Sequence, residues 1–85
     1  MSETRPTLVY DGDCGICRYW VDYWQGLTGE QVRYRPYQDA AADFPGIAPD
    51  AFAHAIQLIE PDGQVYSSAA ATFRVLRHVP GRAAW

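Results

Sequence analysis

A short, nearly all-apolar run, Thr7-Leu8-Val9-Tyr10, opens the pattern and predicts a strand buried on both faces. Asp11-Gly12-Asp13 breaks it as a turn. Ile16, Trp20, Tyr23, Trp24 and Leu27 then recur at helical spacing, with Val21 widening the stripe and Gly26 and Gly29 ending it. Asp13 is placed to be the N-cap of this helix, with Cys14 at its first position. Val32 to Arg35 alternates as a second strand and stops at Pro36. Tyr37 to Phe44 reads as a short helix. Loop punctuation follows, carrying a turn of helix from Asp50 to Ala53. His54 to Glu60 alternates as a third strand, Pro61-Asp62-Gly63 is a hairpin turn, and Gln64 to Ser67 is the return strand. Ser67 or Ser68 caps a last helix whose face is Ala69, Phe73, Leu76 and Val79, ended by Pro80-Gly81.

The first two strands need a crossover, so they are expected to be parallel. The last two are joined by a tight turn, so they are antiparallel. The expected fold class is α/β: a mixed four-stranded sheet with helices on both faces, in the βαβ–ββα order of the thioredoxin fold. A chain of 85 residues holds one small domain, 1–85, with 1–6 as a flexible lead-in.

Composition adds exclusions. At 48% hydrophobic residues the chain has ample material for a core, which argues against disorder. The net charge is −3, the arginines are scattered and lysine is absent, so no basic stripe points to nucleic acid. The first six residues hold no apolar signal segment, and no apolar run approaches a membrane span. The expected compartment is a bacterial-type cytoplasm, where thiols are kept reduced.

The two cysteines stand as Cys14-Gly15-Ile16-Cys17. Small disulfide scaffolds carry four, six or eight cysteines, and a bridge across two residues closes too short a loop to staple a fold. Reactivity is the better account. Disulfide exchange needs an attacking thiolate, a second thiol to resolve the mixed disulfide, and access. Two intervening residues put both sulfurs on the first turn of a helix, where free N–H groups and the dipole favour thiolate. In such motifs the pKa falls from about 8.5 to roughly 3.5–7.5. Cys14, at the exposed helix start, is the expected nucleophile, and Cys17, one turn inward, the resolving thiol. Gly15 leaves room for a partner disulfide, Ile16 keeps an N–H for the Cys14 sulfur, and Tyr19 lies off the main stripe, so all three are candidate groove residues. Asp11 and Asp13 are candidates for tuning or proton relay, and their charge opposes thiolate formation. They also suit turns and caps with no chemistry.

Other readings stay open. A zinc site could draw Cys14, Cys17, His54 and His78, but the histidines lie far apart in sequence and lack finger-like spacing. Haem attachment would need a histidine where Arg18 stands. Two inert core cysteines are the bland alternative. Tyr10, Trp20 and Trp24 suit a substrate groove or, more simply, a core. No metal, flavin or nicotinamide pattern is visible. No cofactor is therefore expected, and electrons would come from another dithiol or glutathione.

Val9 to Cys17 resembles the opening motif of the DCC-type thiol-disulfide oxidoreductase family, named for its Asp-Cys-x-x-Cys; Asp13, Cys14 and Cys17 match it directly. The similarity continues through Arg18 to Val21 and returns from Ala55 to Ala71. The resemblance implies a thioredoxin-like fold and a thiol-disulfide oxidoreductase acting on a thiol or disulfide substrate. Some family members are fused to membrane proteins, including relatives of lipase maturation factors, and the chain is similar to such N-terminal appendages. That implies association with a membrane protein in a longer parent chain. The rival function is a non-catalytic interaction module. Thioredoxins carry a cis-proline before the third strand; here Phe52-Ala53-His54-Ala55 stands there, and Pro49 comes several residues too early.

Overall fold

The computed structural model describes residues 4–79. Eight main elements follow in order: β1 (Thr7–Tyr10), α1 (Gly15–Thr28), β2 (Arg33–Pro36), α2 (Tyr37–Ala40), α3 (Pro49–His54), β3 (Gln57–Ile59), β4 (Val65–Ser67) and α4 (Ser68–Leu76). Short 3₁₀ turns at Gly29–Gln31 and Ala41–Asp43 follow α1 and α2. The sheet order is β2-β1-β3-β4, with β1 parallel to β2 and the other two pairings antiparallel. This is the expected mixed sheet.

β1 lies inside the sheet because its residues suit both faces. Leu8, opposite Leu58 on β3, joins Val21, Trp24, Val32, Ala71 and Val75 in a core beneath α1 and α4. Val9 points the other way and meets Ala40 and Phe52 beneath α2 and α3. Tyr37 stacks on Phe52 at 6.5 Å and closes this second layer. Gln57 is buried in the same region with its amide satisfied: it donates to the carbonyls of Ala51 and Ala55 and accepts from the Ser67 hydroxyl.

Several boundaries depart from the sequence pattern. The third strand begins at Gln57, not His54, because α3 runs through His54, whose Nδ1 bonds the Asp50 carbonyl. The helix expected from Tyr37 to Phe44 is one α-turn followed by a 3₁₀ turn. Gly26 lies within α1, and Gly29, at a φ of 56°, ends it. Ser67 holds the N-cap position of α4, but its hydroxyl serves Gln57 and makes no cap bond. The inward face of α4 is Ala71 and Val75, while Ala69 and Phe73 face solvent. Leu76 and Val79 are half-buried, and Pro80-Gly81 lies outside the described residues. Toward its far end α4 is tied to the hairpin by Arg74, which bonds Glu60 at 3.0 Å and covers the Tyr66 ring.

This division makes a clear expectation. Phe52→Ala empties the layer beneath α2 and α3 and lowers the unfolding free energy by about 3–5 kcal/mol in urea denaturation. Phe73→Ala, on the solvent side of α4, changes it by less than about 0.5 kcal/mol. The reverse ranking would mean that α4 is rotated from this arrangement.

Candidate functional site

The site grows from the end of β1. Chain reversal there is a tight turn in which the Cys14 N–H donates to the Asp11 carbonyl at 3.1 Å. The Asp11 carboxylate folds back over the same turn and accepts the Asp13 N–H at 2.9 Å. Gly12 sits under steric compulsion: a Cβ there would lie 2.9 Å from Cβ of Pro36 and 3.1 Å from Oε1 of Gln38. The parallel register explains the crowding. Tyr10 pairs with Pro36, so the residues just past both strands emerge side by side.

The cap of α1 differs from the sequence expectation. Asp13 is not the N-cap; Cys14 is, with extended backbone angles, and Gly15 is the first helical residue. Asp13 is displaced because Cys14 sulfur takes the role itself, accepting the Cys17 N–H at 3.2 Å. A helix start leaves its first N–H groups unpaired, and an acceptor there is stabilised by them. The Cys14 pKa is correspondingly lowered. The chief cause is a hydrogen bond from the Cys17 side chain, then the Cys17 N–H, with a smaller contribution from the Ile16 N–H. Burial opposes the shift, and Asp11 charge opposes it least. The competition anticipated from the acidic neighbours is therefore won by the hydrogen bonds.

Cys17 moves the other way. Burial beneath the helix, reinforced by its hydrogen bond to Cys14, pushes its thiol up to about 11. The two groups are thus unlike: an anion-favouring sulfur at the cap and a proton-retaining one a turn inward. Both cysteines are free thiols and half-buried.

Gln38, the second residue of α2, was not singled out by the sequence reading. Its Nε2 donates to Asp11 Oδ1 at 2.9 Å and approaches Asp13 Oδ2 at 3.4 Å, while its Oε1 accepts the Gly12 N–H at 3.1 Å. The hydrogen bond from Gln38, followed by that from the Asp13 N–H, holds the Asp11 carboxyl below its usual range. The signal that points to Gln38 is topological: in parallel strands, residues just past neighbouring carboxyl ends share one site.

The candidate groove residues are exposed. Nothing lies within 4 Å of a Cβ built on Gly15, and Ile16 and Tyr19 are 74% and 68% accessible. Trp20 and Trp24 do line a groove of about 620 Å³ between α1 and α4, with Leu27 and Leu76, but neither cysteine borders it. Tyr10 packs against the core. The zinc alternative is not assembled: among the described residues no three His, Cys, Asp or Glu side chains gather as a metal site. His78 instead lies 3.5 Å from Glu60. Before β3, Pro49 opens α3, and Ala55 and Ile56 lead into the strand. No helix among the described residues is long and apolar enough to cross a membrane.

A mixed sheet of this order, with helices on both faces and a dithiol on the first turn of α1, defines a thioredoxin-like domain. The chain belongs to the DCC1-like thiol-disulfide oxidoreductase family, whose model matches residues 8–85, and the family supports a redox role. Comparison with curated proteins and with solved structures gives no match.

Two outcomes are expected from this geometry. Gly12→Ala forces Pro36 or Gln38 aside and lowers stability by about 1–3 kcal/mol in urea denaturation. Cys17→Ala removes the thiol donor and raises the pH midpoint of Cys14 alkylation, whereas Cys17→Ser, which keeps an O–H donor, raises it less. Equal midpoints in the two variants would assign the depressed pKa to the backbone N–H groups alone.

Proposed function

We propose that the domain is a thiol-disulfide oxidoreductase working through Cys14 and Cys17, with Cys14 as nucleophile and Cys17 as resolving thiol. The observation that carries this reading is geometric: the Cys14 sulfur caps the start of α1 and accepts the Cys17 N–H at 3.2 Å, which sets the two thiols one turn apart at a helix N-terminus. Cys14 thiolate attacks a substrate disulfide, forming a mixed disulfide and releasing one substrate thiolate, which takes up a proton. Cys17 then gives up its proton and attacks Cys14 sulfur. This releases the second substrate thiol and leaves a Cys14–Cys17 disulfide. Two electrons have passed to the substrate, and an external dithiol or glutathione returns them.

Access supports the assignment of Cys14, which lies beside the open space over Gly15. Ile16 and Tyr19, exposed next to the motif, are the candidates for substrate contact. Asp11 and Asp13 tune the site or carry protons. The high pKa of Cys17 makes a base useful in the second step. A reducing, cytoplasmic setting, in which both cysteines rest as thiols, goes with this reading. So does attachment to a membrane protein within a longer chain.

The rival reading, an interaction module with idle cysteines, draws on the exposed apolar residues of α1. Thiol alkylation across pH, combined with titration in glutathione buffers, separates the two. The redox reading expects Cys14 to alkylate well below about pH 8 and a reversible Cys14–Cys17 disulfide to form. Cys14→Ser abolishes exchange, and Cys17→Ser accumulates a mixed disulfide at Cys14. Thiols that react only above about pH 8.5, or only after denaturation, would leave the interaction module as the better account.

A further inference from the structure

Among side chains outside the cysteine motif, Gln38 makes three hydrogen-bond contacts with the loop that delivers the motif, from a different element and 25 to 27 residues away in sequence. Both ends of its carboxamide are used. The NH₂ faces two carboxylates, and the carbonyl oxygen receives a backbone N–H of the residue between them. No other uncharged side chain of this reach, asparagine being shorter, supplies both roles. A glutamate would have the shape but not the donors, and leucine neither donors nor acceptor.

We propose that Gln38 is a positioning residue of the dithiol: its amide holds the Asp11 and Asp13 carboxylates to α2 and so keeps their charge off the Cys14 sulfur. This deepens the redox reading and rests on it. Asp11 Oδ1 takes two donors, from Gln38 of α2 and from the Asp13 N–H of the turn, each at 2.9 Å. A carboxylate satisfied in this way projects less field toward a third group.

The groups facing Asp11 can be named by element. From α1 come the thiols of Cys14 and Cys17, and from its own loop the Asp13 carboxylate. From α2 comes the neutral amide of Gln38. On β2, Arg35 is committed to Asp43 at 2.8 Å and to the Asp39 carbonyl.

The test is the pH profile of Cys14 alkylation in the full chain, for the wild-type protein and for Gln38→Leu, Gln38→Glu, Asp11→Asn and the Asp11→Asn/Gln38→Leu pair. Gln38 is exposed, so a urea midpoint near that of the wild type is expected for each. Gln38→Leu is expected to raise the Cys14 midpoint by about 0.5–1 pH unit, and Gln38→Glu, which adds a third carboxylate, by more. In the Asp11→Asn background the Gln38→Leu shift falls to less than half, because the charge it would release is gone. Unshifted midpoints in both folded Gln38 variants overturn the inference. So does an equal Gln38→Leu shift with and without Asp11, which would mark a merely structural prop for the loop. A parallel glutathione titration of the wild-type protein distinguishes the two levels. If no reversible Cys14–Cys17 disulfide forms, the redox reading falls and the inference with it. If the disulfide forms and the midpoints do not move, the inference alone falls.

Discussion

A helix start leaves N–H groups with no partner inside the helix, and in this chain a sulfur takes one of them. Cys14 occupies the cap position that an aspartate, serine or threonine usually fills, and accepts the Cys17 N–H. The cap acceptor is best satisfied as an anion, so whatever stabilises the start of α1 also favours the thiolate of Cys14. The turn before it, fixed by the Asp11 carbonyl and the missing Cβ of Gly12, determines that Cys14 and not Asp13 arrives at that position.

Much of this was readable from the chain. The βαβ–ββα order followed from the apolar run at Thr7, the helical stripe after the cysteines and the Pro61-Asp62-Gly63 turn, because each is a local signal with a local cause. Faces were read less well. On α4, Phe73 seemed the natural inward residue, yet the small Ala71 and Val75 hold that side. Close packing of a short helix on a four-stranded sheet favours small residues at the contact, whatever their rank in hydrophobicity. His54 alternates properly with its neighbours as a strand would, but the α3 helix that begins at Pro49 runs on through it. The role of Gln38 could not be seen locally at all. It depends on the register that sets Tyr10 beside Pro36, and register is a property of two strands together.

The helical stripe of α1 illustrates a second reason for partial legibility. Its apolar positions are too many for one buried face. Val21 and Trp24 reach the core, with Thr28 continuing the line, while Ile16, Tyr19, Trp20 and Tyr23 remain accessible. Their rings are not loose: Trp20 meets Tyr19, Tyr23 and Trp24 at centroid distances between 5.6 and 6.1 Å. Periodicity identifies a helix correctly here but overstates how much of it the sheet can cover.

The sheet ends in two rims, β2 and β4, of four and three residues. A rim is where a foreign strand can add itself by backbone pairing, and a long flat one is an aggregation hazard. β2, the rim beside the dithiol, carries two arginines and closes with Pro36, which has no N–H to offer. Its ladder can therefore grow little outward at the end that carries Pro36. The proline that crowds Gly12 in the turn before Cys14 also blunts the border against fibrous self-assembly.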